Sequence, residues 1–370
     1  MISVNQLRAA KKFGPGYFIR EQLEQREWTQ EDLAAITNIS AKHINKILQD
    51  QQPLTLDNAR LFADIFGTSV QYWVNLNTDY LLWLRQEKTP EEVEADVKGA
   101  IYARMPIKDM IKKGWLESYS NANDLKQQVL DFWGWHSLDF SQLDRQLPFL
   151  TRKSDAYNTF NASYALTWYR KATLVAGQQA RQPYQRTQLE ALYNQMHRYT
   201  TTTDGINAFI KALEAVGVIF FVLPHLQKTY LDGAAFLSGA NPVLVYTGRY
   251  KRIDHFWFTL AHEIAHVLLH LDEATPFILD NLHDGEKDNI EEEANALAAR
   301  QLKHAEILEQ LSPYAKYLPP AKVEECAEQY QVHPAIVIGK LAHEKLISYA
   351  NQTRYKDDVL ELINPEYQYH

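Results

Sequence analysis

Apolar residues in the first 88 positions recur at the three- and four-residue spacing of amphipathic helices. The spacing predicts a run of short helices: Tyr17–Gln25, one beginning after Thr29, Ala41–Leu48, Leu56–Phe66 and Val70–Leu84. Thr29 is expected to cap its helix together with Asp32 in a capping box, and Asn38 suits a left-handed turn. Leu33, Ala34 and Ile36 are predicted to face inward. Two short helices joined by a tight turn, the second presenting polar residues, form a helix-turn-helix pattern.

The periodicity stays helical from residue 89 to residue 204 and indicates a helical linker region. A further amphipathic helix then leads into three strand-like runs: Val218–Leu223, Gly233–Leu237 and Pro242–Tyr246. The chain is therefore predicted to be α+β and mostly helical. The expected parts are a five-helix domain at 1–88, the linker at 89–204, an α+β domain with a small sheet at 205–350, and a tail at 351–370. An exposed edge strand could take an extended peptide, but the sequence leaves open which strand is the edge.

The helix after these strands carries an unusual polar wedge. Projected at about 100° per residue, Thr259–His270 places its polar side chains within roughly a quarter of the circumference: Thr259, His262, Glu263, His266 and His270. The opposite side is apolar, which indicates a buried helix. Titratable groups gathered in a buried wedge need compensation, and a divalent metal ion provides it.

The spacing H-E-x-x-H suits zinc chemistry. His262 and His266, at i and i+4, can direct ring nitrogens at one ion, and Glu263 can reach a water on that ion as a general base. Zinc is the default metal, because two imidazoles and a carboxylate with one open position form a catalytic pattern. The alternative is a helix whose histidines are hydrogen-bonded within a core.

A third ligand must come from elsewhere in the chain. His270 lies two turns along the helix, and His283, Asp284 and Glu286 lie in a polar loop. Glu291 is the preferred candidate, because Ala294 and Ala298 on its face allow close helix packing.

Neighbours of Glu291 have expected roles of their own. Asn295 could hydrogen-bond a ligating imidazole, whereas Glu292 and Glu293 are expected to point to the side. The alternative for the three consecutive glutamates is that they lie in solvent at the start of a helix, where the macrodipole favours negative charge. His270, Tyr246 and His304 are candidates for stabilising an oxyanion.

Composition and charge narrow the picture. With 46% hydrophobic residues, a net charge of −8 and a pI near 5.9, the chain is not globally basic. Cys326 is the only cysteine, which excludes an intramolecular disulfide and favours a reducing cytosol. No apolar run is long enough to span a membrane. Residues 1–88 hold ten basic and ten acidic residues, so a helical protein-interaction module remains an alternative to DNA binding.

Specific motifs in residues 14–82 carry a resemblance: Gly14-Pro15-Gly16, Thr29-Gln30-Glu31-Asp32-Leu33-Ala34, Ile39-Ser40 and Gly67-Thr68-Ser69. This part resembles the HigA-type antitoxins of the Xre repressor family. The resemblance implies DNA binding as a homodimer to a palindromic operator, with Ser40–Leu48 as recognition helix. It allows a cognate toxin as a further partner. The implied DNA-binding residues are Gln30, Ser40, Ala41, Lys42, His43, Asn45 and Lys46.

A second set of motifs spans roughly 205–345: Phe256-Trp257-Phe258-Thr259-Leu260-Ala261-His262-Glu263-Ile264-Ala265-His266, then Glu291-x-x-Ala294-Asn295 and Val332-His333-Pro334. It resembles the ImmA/IrrE metallopeptidases, which have a gluzincin-like zinc fold and cleave repressor proteins. The resemblance implies His262, His266 and Glu291 as metal ligands and Glu263 as base. Asn295 and His270 are expected to support the ligands.

The sequence thus predicts a cytoplasmic DNA-binding regulator of the antitoxin or repressor type. Its C-terminal domain is expected to hold one Zn²⁺ per chain and to cleave a repressor- or antitoxin-type protein, including itself as one option. No membrane partner is expected. The alternative is a non-enzymatic regulator whose peptidase-like domain serves as a sensor or toxin-binding module.

Overall fold

The computed structural model divides the chain into two compact units, Met1–Ala95 and Asp96–His370. It describes residues 12–85, 88–141, 143, 162–202, 204–272, 277–279, 289–314, 317–348, 355 and 357–370. The predicted domain bounds after residues 88, 204 and 350 stay predictions. Along the described stretches, no helix combines the length and the apolar composition that a membrane crossing needs. The mixture of many helices with a small sheet confirms the predicted fold class.

The described part of the first unit begins with short helices: α1 (Pro15–Glu24), α2 (Gln30–Thr37), α3 (Ala41–Leu48), α4 (Leu56–Phe66) and α5 (Val70–Leu84). The capping box at α2 is confirmed: the backbone N–H of Asp32 donates to the Thr29 hydroxyl and that of Thr29 to the Asp32 carboxylate. Asn38 adopts the left-handed conformation with φ 54°. Leu33 is fully buried, but Ile36 is 47% exposed, so its predicted inward orientation is wrong.

The two glycines before and within α1 allow this helix to approach the end of α3. A Cβ on Gly16 would lie 2.4 Å from the carbonyl oxygen of Leu48, and one on Gly14 would lie 2.3 Å from the carboxylate of Asp50. The backbone N–H of Gly16 donates to that carboxylate at 2.8 Å. Burial raises the pKa of the Asp50 carboxyl. The contact holds α3 in a fixed position against α1.

Helices continue through the middle of the chain. They are α6 (Pro90–Tyr102), α7 (Ile107–Lys112), α8 (Ala122–Trp133), α9 (Ala162–Gly177), α10 (Arg186–Asn194), α11 (Met196–Tyr199) and α12 (Gly205–Ala215). Gly114 and Gly134, with φ 69° and 71°, follow α7 and α8 and let the chain turn sharply there.

The described strands form one mixed sheet in the order β1-β3-β2-β4. They are β1 (Ile219–Val222), β2 (Gly233–Ser238), β3 (Asn241–Tyr246) and β4 (Phe277–Leu279). β1 pairs in parallel with β3, whereas β2 pairs antiparallel with both β3 and β4. The first three lie where the sequence predicts strands, and β4 is an addition. β1 and β4 are the edge strands.

Both faces of the sheet are buried, which explains why its strands are apolar without alternation. One face, including Phe220 and Leu244, shares a core with the helix that carries the histidines. The other face, including Phe221 and Val245, shares a core with residues of α6 to α9. The helices between residues 101 and 176 therefore form one layer of the second unit.

The remaining elements complete the layer under the sheet. They are α13 (Ile253–Leu269), α14 (Asn289–Gln301), α15 (His304–Leu311), α16 (Pro320–Tyr330), α17 (Pro334–His343) and α18 (Val359–Leu362), with short 3₁₀ turns at Ser312–Tyr314 and Pro365–Tyr367. The segment after α18 covers the outer edge of β1, where Gln368 bridges Val222 and the Tyr369 N–H donates to the Val222 carbonyl at 2.9 Å.

Candidate functional site

The predicted polar wedge lies in the interior of the second unit, on α13. His262, Glu263 and His266 are each at most 1% exposed, and the apolar side of the same helix packs into the core. The backbone of this helix is held from the side, because the Tyr193 hydroxyl donates to the Ala261 carbonyl at 2.8 Å. These three side chains are thus shielded from bulk water.

His262, His266 and Glu291 converge on one point. The Nε2 atoms of the two imidazoles lie 2.8 Å apart, and the Glu291 carboxylate lies 3.2 Å from the first and 3.6 Å from the second. Ligand atoms of a tetrahedral zinc site with bonds of about 2 Å are separated by about 3.3 Å. The three distances fall around that value, so the donor set fits a zinc ion in both chemistry and spacing.

The orientation of His262 supports the same fit. Its Nδ1 lies 3.0 Å from the amide oxygen of Asn295. An amide oxygen only accepts, so Nδ1 carries the proton and Nε2 of a neutral ring presents a lone pair. Asn295 therefore occupies the supporting position that the sequence predicts for it.

Glu291 reaches the histidines because α14 packs closely on α13. Ala294 and Ala298 are fully buried on the facing side of α14, as the sequence predicts. The Glu291 side chain is 19% exposed and sits in the first turn of the helix. The other proposed loop ligands, His283, Asp284 and Glu286, lie outside the described residues.

Glu263 packs against the first residue of β2. A Cβ on Gly233 would lie 2.2 Å from Oε1 of Glu263 and 2.8 Å from Cγ2 of Thr259. A side chain at residue 233 would therefore force either the carboxylate or the strand backbone to shift. Sequence reasoning missed Gly233, although a glycine in a strand often marks such a close approach.

An ionic cluster next to Gly233 was also not predicted. The Asp232 side chain is 1% exposed and lies 3.2 Å from a guanidinium nitrogen of Arg249 and 3.6 Å from Nε2 of His255. Nδ1 of His255 lies 3.3 Å from the Thr259 hydroxyl. The cluster fixes the turn into β2 and hence the backbone against which Glu263 rests.

The three oxyanion candidates are engaged by other groups. The Tyr246 hydroxyl donates to the Tyr250 carbonyl, and burial raises its pKa. The His304 ring stacks on Phe258 with centroids 5.6 Å apart, and burial lowers its pKa to about 3. His270 contacts His266 and Glu293, at 3.0 and 3.1 Å.

The second predicted site is the recognition helix α3. Its exposed residues are Ala41, Lys42, Asn45 and Lys46. Ser40 is also exposed, and its hydroxyl caps the helix by accepting the His43 N–H at 3.3 Å.

Two further residues of the predicted DNA-binding set differ in their surroundings. The His43 ring is half-buried, with Nε2 3.4 Å from the amide nitrogen of Asn58, so it faces partly into the unit. Gln30 is exposed at the first position of α2.

Comparison with known proteins finds a family match for an N-terminal and a C-terminal part of the chain. Residues 19–73 match a family described as helix-turn-helix, and residues 214–341 match a peptidase family described as the IrrE N-terminal-like domain. An uncharacterised HTH-type transcriptional regulator of Haemophilus influenzae is 30% identical over 89 residues, which are 24% of this chain and 83% of the relative. Virulence-associated protein I of Dichelobacter nodosus is 31% identical over 74 residues, 20% of this chain and 68% of the relative.

Proposed function

The chain belongs to the helix-turn-helix transcriptional regulators and carries an IrrE N-terminal-like domain of a peptidase family, and we propose that it is a DNA-binding regulator of the repressor or antitoxin type with a zinc-dependent endopeptidase domain. The convergence of His262, His266 and Glu291 beside Glu263 is the observation that supports the peptidase. A site that only stabilised the fold would have no need of Glu263.

In this proposal His262, His266 and Glu291 hold one zinc ion per chain. When bound there, zinc would supply the Lewis acidity needed to polarise a scissile carbonyl and to make a water more acidic. Glu263 accepts the proton of the attacking water and passes it to the leaving amine nitrogen. Gly233 leaves the space that this carboxylate occupies against β2.

The arrangement of the sheet is consistent with a protein substrate that binds in an extended conformation. β4 is the outermost strand next to β2, and β2 begins at the glycine that contacts Glu263. Among the described residues none pairs with the outer side of β4, whereas β1 is covered by residues 368 and 369. We propose that a peptide adds to β4 and that the substrate is a repressor- or antitoxin-type protein, with the chain itself as one option.

The N-terminal part is proposed to bind a palindromic operator as a homodimer, with a cognate toxin as a further partner. Leu82 and Leu84 at the end of α5 are 66% and 53% exposed, and Tyr80 stacks on Trp83 with centroids 6.1 Å apart. This apolar helix end suits contact with a second copy. A solution mass of twice 42.9 kDa by light scattering tests it, and a monomer on operator DNA would contradict it.

Zinc content is the direct test of the proposed metal centre. Purified protein is expected to contain about one zinc per chain, and His262→Ala is expected to lose most of it, because only two of the three proposed donors remain. Elemental analysis by mass spectrometry measures both. His343→Ala is the matched control, because the His343 side chain is 77% exposed and lies outside the donor set. Equal zinc in all three proteins would contradict the assignment.

Operator binding is expected to depend on two exposed lysines of α3. The double substitution Lys42→Ala and Lys46→Ala removes two cations, so we expect weaker binding to a selected palindromic duplex. The plot of log affinity against log salt concentration has a negative slope, and its magnitude should decrease by about two. Lys108→Ala with Lys112→Ala is the control, because these exposed residues have the same spacing on α7. Equal affinity and slope for both double variants would favour a protein-interaction module.

A further inference from the structure

A chain of hydrogen bonds leads from His266 to the protein surface. Nδ1 of His266 lies 3.0 Å from Nδ1 of His270, and Nε2 of His270 lies 3.1 Å from the carboxylate of Glu293. The other oxygen of Glu293 accepts a hydrogen bond from the amide of Asn289 at 2.9 Å. The contacts connect the end of α13 to the first turn of α14.

The chemistry of its outer end sets the direction of this chain. A carboxylate only accepts, so Nε2 of His270 must carry a proton and donate it to Glu293. A neutral imidazole has one N–H, so Nδ1 of His270 must then accept. His266 therefore donates from its own Nδ1, and its Nε2 presents a lone pair. That Nε2 is the atom that faces His262 and Glu291.

Along this series of hydrogen bonds, the side chains become more buried towards the proposed metal centre. The Glu293 side chain is 52% exposed, that of His270 is 8% exposed and that of His266 is fully buried. Hydrogen bonds shielded from water are stronger and more directional than exposed ones. Two hydrogen bonds thus connect a half-exposed carboxylate to a fully buried imidazole.

We propose that Glu293 is a positioning residue, which acts through His270 to hold His266 in the tautomer that directs Nε2 at the metal. The proposal rests on the proposed zinc site and adds a determinant of metal affinity at the protein surface. Helix α14 then serves both histidines: Asn295 orients His262, and Glu293 orients His266 through His270. Outer partners of ligating histidines typically change metal affinity about 10- to 100-fold.

Substitutions at Glu293 that differ in hydrogen-bonding capacity test the proposal. Glu293→Gln keeps an acceptor oxygen, so we expect zinc affinity within about threefold of the unaltered protein, measured by competition with a chromophoric chelator. Glu293→Lys can only donate, so it opposes the chain and should weaken affinity at least about tenfold. Glu292→Lys makes the same charge change at the adjacent exposed position and is the control.

A second measurement follows the tautomer itself. Nitrogen-15 NMR of the imidazoles in the zinc-free full-length protein is expected to show His266 protonated at Nδ1 in the unaltered protein and in Glu293→Gln, but not in Glu293→Lys. Equal zinc affinity of Glu293→Lys and Glu292→Lys, with the His266 tautomer unchanged, would overturn the positioning role. An unaltered protein that binds no zinc would instead refute the proposed function, so the two failures are distinguishable.

Discussion

Replacing Glu263 with glutamine is expected to lower the rate of peptide cleavage by about a thousandfold while the zinc content stays the same. Glutamine has nearly the same shape but cannot take up the proton of the attacking water, and general base catalysis typically contributes about 10²- to 10⁴-fold. Glu263 is 1% exposed and lies outside the proposed ligand set, so a neutral side chain there should not disturb the fold or the metal. The cleavage is measured by intact-mass spectrometry of a repressor-type protein that is encoded by a neighbouring gene and incubated with each variant.

The matched control for this experiment is Glu292→Gln. Glu292 is exposed in the first turn of α14, so its substitution should leave cleavage unchanged. Cleavage by Glu263→Gln at the unaltered rate would contradict the assigned base. A zinc-bound protein that cleaves neither itself nor the products of neighbouring genes would favour the non-enzymatic alternative. In that alternative the domain is a sensor or toxin-binding module.

The convergence of the site's central residues follows from local sequence signals. The H-E-x-x-H spacing fixes the relative positions of His262, Glu263 and His266 once the segment is helical. Alanines at 294 and 298 marked the face of α14 that meets α13, which made Glu291 the best candidate for the third donor. The metal-binding and catalytic roles themselves remain predictions.

Glu293, Asp232 and His255 could not be predicted in the same way. Glu293 was expected to point to the side, because a glutamate near the start of a helix has the same local pattern whether it is solvated or hydrogen-bonded. Its partner His270 lies 23 positions earlier, and only the packing of α14 on α13 brings the two together. Similarly, Asp232 and His255 belong to separate elements whose contact depends on the register of the strand and helix.

The fold shows the same division between local and long-range information. The continuous apolar run in Val218–Leu223 indicated a buried strand, and β1 lies within it. Its pattern did not reveal that the middle helices cover the second face, because an amphipathic helix does not specify its partner. β4 has only three residues and too few positions to show periodicity. Ile36 was misjudged because the short helix α2 buries a narrower face than the pattern suggested.

Substituting alanine for Gly233 is expected to lower the catalytic rate constant about a hundredfold, with zinc still bound. The added Cβ would lie 2.2 Å from Oε1 of Glu263, so one of the two must move. The backbone of β2 is held on both sides, by β3 and by β4, and therefore the carboxylate yields. A displacement of about 1 Å from the productive geometry typically costs about 10²-fold. Steady-state cleavage rates and zinc content measure the effect.

Gly99→Ala serves as the control, because a Cβ at Gly99 on α6 meets no atom within 4 Å. The comparison separates displacement of Glu263 from a general loss of folding, since Gly233→Ala should keep its zinc and lose rate. Its rate should not fall further when combined with Glu263→Gln, because both changes remove the same proton acceptor. Unchanged catalysis by Gly233→Ala would mean that the carboxylate does not depend on its contact with β2. Additive losses in the double variant would place the effect of Gly233 in peptide binding along the sheet rather than in proton transfer.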